Sequence, residues 1–159
     1  MTRHCDFSIQ ARTSAPPSTV YRLLRDGATW PRWSPIDSFT LEREGSEGGE
    51  SLGAIRVFRT GTVHSRELLV ELDVDRRLSY TALSGLPLRD HRADVDLTEL
   101  ADGTQITWRE QFTARVPGMG WLLKRLLRRF VQRCVAGLAL GAASAPADSH
   151  QPLLDRATR

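Results

Sequence analysis

The sequence predicts an α+β domain: an antiparallel sheet of about seven strands, two short helices after the first strand, and a long C-terminal helix laid over one face of the sheet. Three observations predict it. Segments with alternating apolar and polar residues recur from Cys5 to Ala114, two glycine-containing turns join neighbouring segments, and a three- and four-residue apolar repeat begins after Pro117-Gly118.

The first segment sets the pattern. Cys5, Phe7, Ile9 and Ala11 share one face and Asp6, Ser8, Gln10 and Arg12 the other, as in a half-buried strand over 5–13. Pro16-Pro17 suits a first helical turn, and Val20, Leu23 and Leu24 follow at helical spacing as far as Asp26-Gly27. Trp30 to Pro35 cannot continue a regular helix across Pro31 and Pro35, so a compact turn is expected there, anchored by Trp30 and Trp33.

Six further strands are expected at 37–44, 52–59, 62–73, 78–84, 90–100 and 104–114. A tight turn at Asp102-Gly103 sets Leu97 against Trp108, Val95 against Glu110 and Ala93 against Phe112, with His91 on the same, mostly apolar face. Arg92, Asp94, Asp96 and Thr98 then meet Thr107, Arg109, Gln111 and Thr113 on a polar face that should see water. The turn at Thr60-Gly61 pairs Val57 with His64 and Ile55 with Arg66, placing Leu68, Val70 and Leu72 inside with Leu78, Tyr80 and Ala82. Glu67 then points outward by alternation.

A sheet with one dry face needs a cover, and the last segment supplies it. Met119, Leu122, Leu123, Leu126, Phe130, Cys134 and Leu138 recur at helical spacing, while Lys124, Arg125, Arg128, Arg129 and Arg133 occupy the opposite side. A helix from about Met119 to Ala142 would be roughly 36 Å long, enough to cross the sheet.

Length and charge bound the functional classes. A chain of 159 residues with 40% hydrophobic side chains is expected to form a single domain over 1–143, followed by a disordered tail over 144–159. Residues 1–114 carry 14 basic and 17 acidic side chains, and residues 115–147 carry 6 and 0, so the +3 net charge arises in the C-terminal helix. That distribution, with a mixed-sign outer sheet face, excludes a nucleic-acid partner. The basic stripe fits a solvated helix face better than a peripheral membrane contact, the other use of such a stripe. Cys5 and Cys134 have neither metal-ligand spacing nor a disulfide framework, and the N-terminus lacks a secretory apolar run. A cytoplasmic location is expected. The charge-free stretch Cys134–Ala147, 14 residues, is shorter than the roughly 20 needed to span a bilayer.

The order of elements, Phe7-Ser8-Ile9 with Pro17-Ser18-Thr19-Val20-Tyr21, the Trp30-Pro31-Arg32-Trp33 turn, Arg76-Arg77-Leu78-Ser79-Tyr80, Asp102-Gly103-Thr104 leading to Trp108 and Phe112, and Pro117-Gly118 together resemble the helix-grip fold of the START-like (SRPBCC, Bet v 1-like) superfamily. They look most like its polyketide cyclase/dehydratase branch, over about residues 5–142. The resemblance implies a curved sheet gripping the helix around a hydrophobic cavity, a polyketide- or lipid-like ligand, and no metal or organic cofactor. Some members fold and dehydrate a poly-β-keto chain and others only carry ligand. These motifs specify fold more than chemistry.

Face assignment leaves few polar side chains pointing inward: Arg66, Tyr80, His91 and Glu110, with His64 near a hairpin tip. Each must be paired or functional, because an unpaired buried charge is too costly to retain. His91, with an intrinsic pKa of about 6.5, suits proton transfer. Glu110 could act as acid or base, and Tyr80 could donate to a carbonyl or enolate. The bland alternative is a structural Arg66–Glu110 or Tyr80–His91 pair. The expected ligand-binding set is Arg66, Tyr80, His91, Trp108, Glu110, Trp33 and Met119, with His91, Glu110 and Tyr80 as candidate catalytic groups. The chain is thus expected to enclose a hydrophobic small molecule, as a monomer or homodimer. It would act either as a cofactor-independent polyketide cyclase/dehydratase or as a non-catalytic carrier or sensor.

Overall fold

The computed structural model describes residues 4–146. Strand β1 (His4–Thr13) is followed by helix α1 (Pro17–Arg25), a 3₁₀ turn (Gly27–Thr29) and helix α2 (Trp30–Trp33). Strands β2 (Ser38–Arg43), β3 (Ile55–Thr60), β4 (Val63–Asp73), β5 (Arg77–Ser84), β6 (Leu88–Leu100) and β7 (Gly103–Ala114) lead to the long helix α3 (Gly120–Ser144). All seven strands form one antiparallel sheet in the order β1-β7-β6-β5-β4-β3-β2. This is the helix-grip architecture expected from the sequence. Of the tail expected over 144–159, Ser144 ends α3, and residues 147–159 lie outside the described part of the chain.

Short-range sequence signals explain the local structure. Pro17 opens α1, where its missing N–H leaves nothing unsatisfied. The 30–35 segment forms one helical turn rather than an irregular one, because Pro31 falls in its first turn and Ser34 closes it by bonding the Trp30 carbonyl. Trp30 and Trp33 are both buried, with ring centroids 4.7 Å apart. Gly103, at φ +147°, lets β7 start against β1: a Cβ there would stand 1.9 Å from the Thr13 carbonyl oxygen.

The β6–β7 faces are as expected, although the register is two residues away: Val95 faces Trp108 and Ala93 faces Glu110. A two-residue shift keeps every side chain on its face. The outer face carries the expected polar ladder, in which Arg77 and Arg109 both reach Asp96 and Arg92 reaches Asp94 and Glu71.

The β3–β4 hairpin corrects the expectation. Thr60 pairs with Val63, so Gly61 and Thr62 form the turn and Val57 lies opposite Arg66. The inner face holds Arg56, Phe58, Glu67 and Leu69, all buried, not Arg66, Leu68 and Val70. A β-bulge between Leu69 and Glu71 then re-phases the strand, so that Leu72 packs on the core.

Helix α3 has two different halves. From Val131 onward, Val131, Cys134, Val135, Leu138, Ala139 and Ala142 are buried. Here the helix lies close to β1 and α2: Thr13 Oγ1 donates to the Ala139 carbonyl at 2.8 Å, and a Cβ on Gly137 would meet the Trp33 carbonyl oxygen at 1.6 Å. The first half is only partly buried through Leu122, Leu123, Leu127 and Phe130, and Trp121 and Leu126 are exposed. No helix of the described residues is long and apolar enough to cross a membrane.

Candidate functional site

Beneath the first half of α3 lies a cavity of about 240 Å³. Leu123, Leu127, Phe130 and Val131 line it from the helix, and Phe58, Trp30, Ile36, Leu86 and Leu88 complete an apolar wall. Its ionisable lining groups, Glu67, Tyr80, His91 and Glu110, project from four consecutive neighbours in the sheet, β4 to β7. The polar groups are therefore concentrated on the sheet side and the helix side is greasy.

Strand irregularities position them. The β5–β6 ladder is paired from Arg77↔Asp96 to Tyr80↔Ala93 and no further. Beyond it, the Ala82 N–H donates to His91 Nδ1 at 2.8 Å instead of to a neighbouring strand. On the other side of His91, a bulge between Arg89 and Arg92, with Asp90 at φ +50°, changes the strand's phase so that both Leu88 and His91 face the cavity.

Three donors converge on Glu110. His91 Nε2 is 2.6 Å from Oε2, while the Tyr80 hydroxyl donates to Oε1 at 3.2 Å and Trp108 Nε1 at 3.1 Å. Because Nδ1 accepts the Ala82 proton, the hydrogen-bond pattern assigns the ring as the Nε2–H tautomer, donating to Glu110. Burial lowers the His91 pKa, but the hydrogen bond and charge of Glu110 and the charge of Glu67 outweigh it, and the net direction is upward. A second proton would still displace the Ala82 N–H. Burial, reinforced by the charges of Glu110 and Glu67, drives the Tyr80 pKa well up, so the phenol stays protonated.

A second cluster adjoins this one. Arg56 is completely buried, its guanidinium 5.1 Å from the Trp30 ring centroid and 5.0 Å from that of Phe58. Its Nη1 donates to the Leu24 carbonyl at 3.1 Å and lies 3.5 Å from Glu50 Oε2, while Nη2 stands 3.6 Å from Glu67 Oε2. That last separation is too long for a hydrogen bond, and Nη2, Nε and Glu67 Oε2 are buried without hydrogen-bond partners. Burial pushes the Glu67 carboxyl up to about 7 despite the lowering influence of Arg56.

Of the residues singled out from sequence, the structure brings Tyr80, His91 and Glu110 together in the cavity. Trp108 is buried behind it as a donor to Glu110, and Trp33 packs beneath α3 rather than lining the space. Arg66 does not face inward: it is on the outer face, doubly hydrogen-bonded to Glu42 at 2.7 Å. Neither proposed structural pair exists as expected, since Glu110 takes Tyr80 and His91 together instead of Arg66. Met119 precedes the first residue of α3, so helical spacing does not set its face; it is exposed and does not line the cavity, and His64 is exposed near the β3–β4 turn. Glu67 and Arg56 were missed. The signal was their opposite charges, which face each other across β3 and β4 in the observed register.

Among the described residues no group of three or more His, Cys, Asp or Glu side chains is arranged to hold a metal ion. A family model described as "Polyketide cyclase / dehydrase and lipid transport" matches residues 4–140. A START superfamily protein from Mycobacterium smegmatis has a similar structure, with TM-score 0.75 at 13% identity over 88% of this chain and 97% of that one. The di-domain ARO/CYC protein StfQ from the steffimycin biosynthetic pathway gives TM-score 0.72 at 16% identity, covering 87% of this chain and 50% of that one. A solution structure from Thermobifida fusca is 27% identical over 87% of this chain and 89% of that one, with TM-score 0.67. No curated protein sequence matches.

Proposed function

The chain belongs to the polyketide cyclase / dehydrase and lipid transport family, and we propose from that premise that it encloses a hydrophobic, polyketide- or lipid-like small molecule between the sheet and α3. The observation that carries this reading is the two-sided cavity: an apolar wall of Phe58, Leu123, Leu127 and Phe130 opposite Glu67, Tyr80, His91 and Glu110. Burying an apolar ligand there gains about 25 cal/mol for each Å² removed from water, and the polar side fixes which end enters. The first half of α3, half-buried and lying over the cavity, is the natural mouth.

As an enzyme, the protein would hold a flexible poly-β-keto chain in a reactive fold and supply modest acid–base help. The hydrogen bonds restrict who could supply it. Both His91 nitrogens and the Tyr80 proton are already engaged, and Glu110 accepts three donors. This saturation favours the alternative role, a carrier or sensor in which the network is a rigid platform. The deciding experiment is native mass spectrometry of the protein taken from its host, followed by turnover assays on the ligand found. Consumption by wild type but not by His91→Ala or Glu110→Gln supports a cyclase or dehydratase. Release of intact ligand by all three supports the carrier, and recovery of empty protein that takes up no hydrophobic molecule overturns both.

A further inference from the structure

We propose that the polar end of the cavity accepts the uncharged oxygen of a phenol, enol or ketone and turns away a carboxylate or phosphate of similar size, with Glu67 setting that choice. The proposal rests on the reading that the cavity holds a ligand. Glu67 lines the cavity and is buried, and its Oε2, 3.6 Å from Arg56 Nη2, has no hydrogen-bond partner. A buried polar atom of this kind calls for a partner that the bound ligand can provide.

The surroundings decide the partner's charge. Facing Glu67 are Arg56 from β3, Tyr80 from β5, His91 from β6, Glu110 from β7 and the buried, uncharged thiol of Cys134 from α3, with Glu50 on the far side of Arg56. Arg56 is the cation of this group, but it does not line the cavity and is held by the Leu24 carbonyl and the Trp30 and Phe58 rings. An incoming anion would meet Glu67 and Glu110 first. An uncharged oxygen suits either state of Glu67: the neutral acid donates to a ketone, and the carboxylate accepts from a phenol or enol. With its pKa raised to about 7 by burial, Glu67 has both states available near neutrality.

Three probes of one ring system test this: naphthalene, 2-naphthol and 2-naphthoate, titrated against the full chain by calorimetry. At pH 8 the expected result is roughly tenfold or tighter binding of 2-naphthol over 2-naphthoate, a gap that narrows several-fold at pH 6 as Glu67 takes up its proton. Glu67→Gln should narrow the gap at pH 8 and remove its pH dependence. Equal affinities at pH 8, or a gap that neither acid nor Glu67→Gln changes, overturn the proposed selection while naphthalene binding keeps the cavity reading intact. Failure of naphthalene itself to bind overturns the cavity reading, and the selection with it. Should the variant not fold, the wild-type series still overturns the selection if the two affinities are equal at pH 8 or the gap does not narrow at pH 6.

Discussion

His91 and Ala82 are joined by a hydrogen bond that runs from main chain to ring: the Ala82 N–H donates to Nδ1 at 2.8 Å, at the point where the β5–β6 ladder has ended. The imidazole thus completes a broken ladder with one nitrogen and holds Glu110 with the other. At pH 8.5, long-range ¹H–¹⁵N spectra are expected to show a protonated Nε2 and an unprotonated Nδ1; the reverse tautomer would refute the arrangement. His91→Ala strands both partners in a buried site and should destabilise the fold by about 2–3 kcal/mol, read by urea denaturation.

Arg56 makes the second prediction. Substituting methionine leaves Glu67 buried and Glu50 half-buried without their cation, and removes the donor to the Leu24 carbonyl. A loss of about 3–5 kcal/mol is expected at pH 8. Adding Glu67→Leu removes the stranded carboxylate, so the double variant should recover part of that loss, with a coupling of about 1–3 kcal/mol. Strictly additive effects would mean that the two groups, 3.6 Å apart, do not interact.

These residues also mark where the sequence is legible and where it is not. In β6 apolar and charged positions alternate without exception from Ala93 to Leu97, so even a register two residues out against β7 keeps Val95, Trp108 and Glu110 on the correct face. In β3 and β4 the charges themselves mislead. Arg56 and Glu67 read as solvent-facing, yet they are buried as a pair, while Val57, Leu68 and Val70 on the other side are half-exposed. Alternation assigns faces by polarity, and a buried ion pair reverses the assignment around it, up to the bulge that follows Leu69. Arg66 was misplaced for that reason, and the saturation of His91 could not be read at all, because it depends on a main-chain N–H freed by strand divergence.

Glu67 also makes stability depend on pH. Its carboxyl is raised from 4.5 to about 7 in the folded protein, so between those values the native state binds more protons than the unfolded state. Its contribution is therefore fully present below the unfolded pKa and is lost as pH rises through about 7, by an amount on the order of 3 kcal/mol. Glu67→Gln cannot titrate. The difference in unfolding free energy, wild type minus Glu67→Gln, should fall by that order between pH 4.5 and pH 8; a flat difference across the series would place the Glu67 carboxyl in its ordinary range.

Gly137 tests how α3 is seated. In an exposed helix interior, glycine to alanine stabilises by about 1 kcal/mol, because the flexible backbone is restrained before folding. Here the new methyl would stand 1.6 Å from the carbonyl oxygen of Trp33, which belongs to backbone and cannot swing aside. Helix and α2 must separate, disturbing the contact between Trp33 and Gly141 one turn further on. Gly137→Ala is therefore expected to lower stability by about 1–3 kcal/mol, and thermal unfolding followed by circular dichroism reads the sign directly. A raised melting temperature would mean that α3 does not approach α2 this closely, and the cavity roof would then need to be placed higher above the sheet.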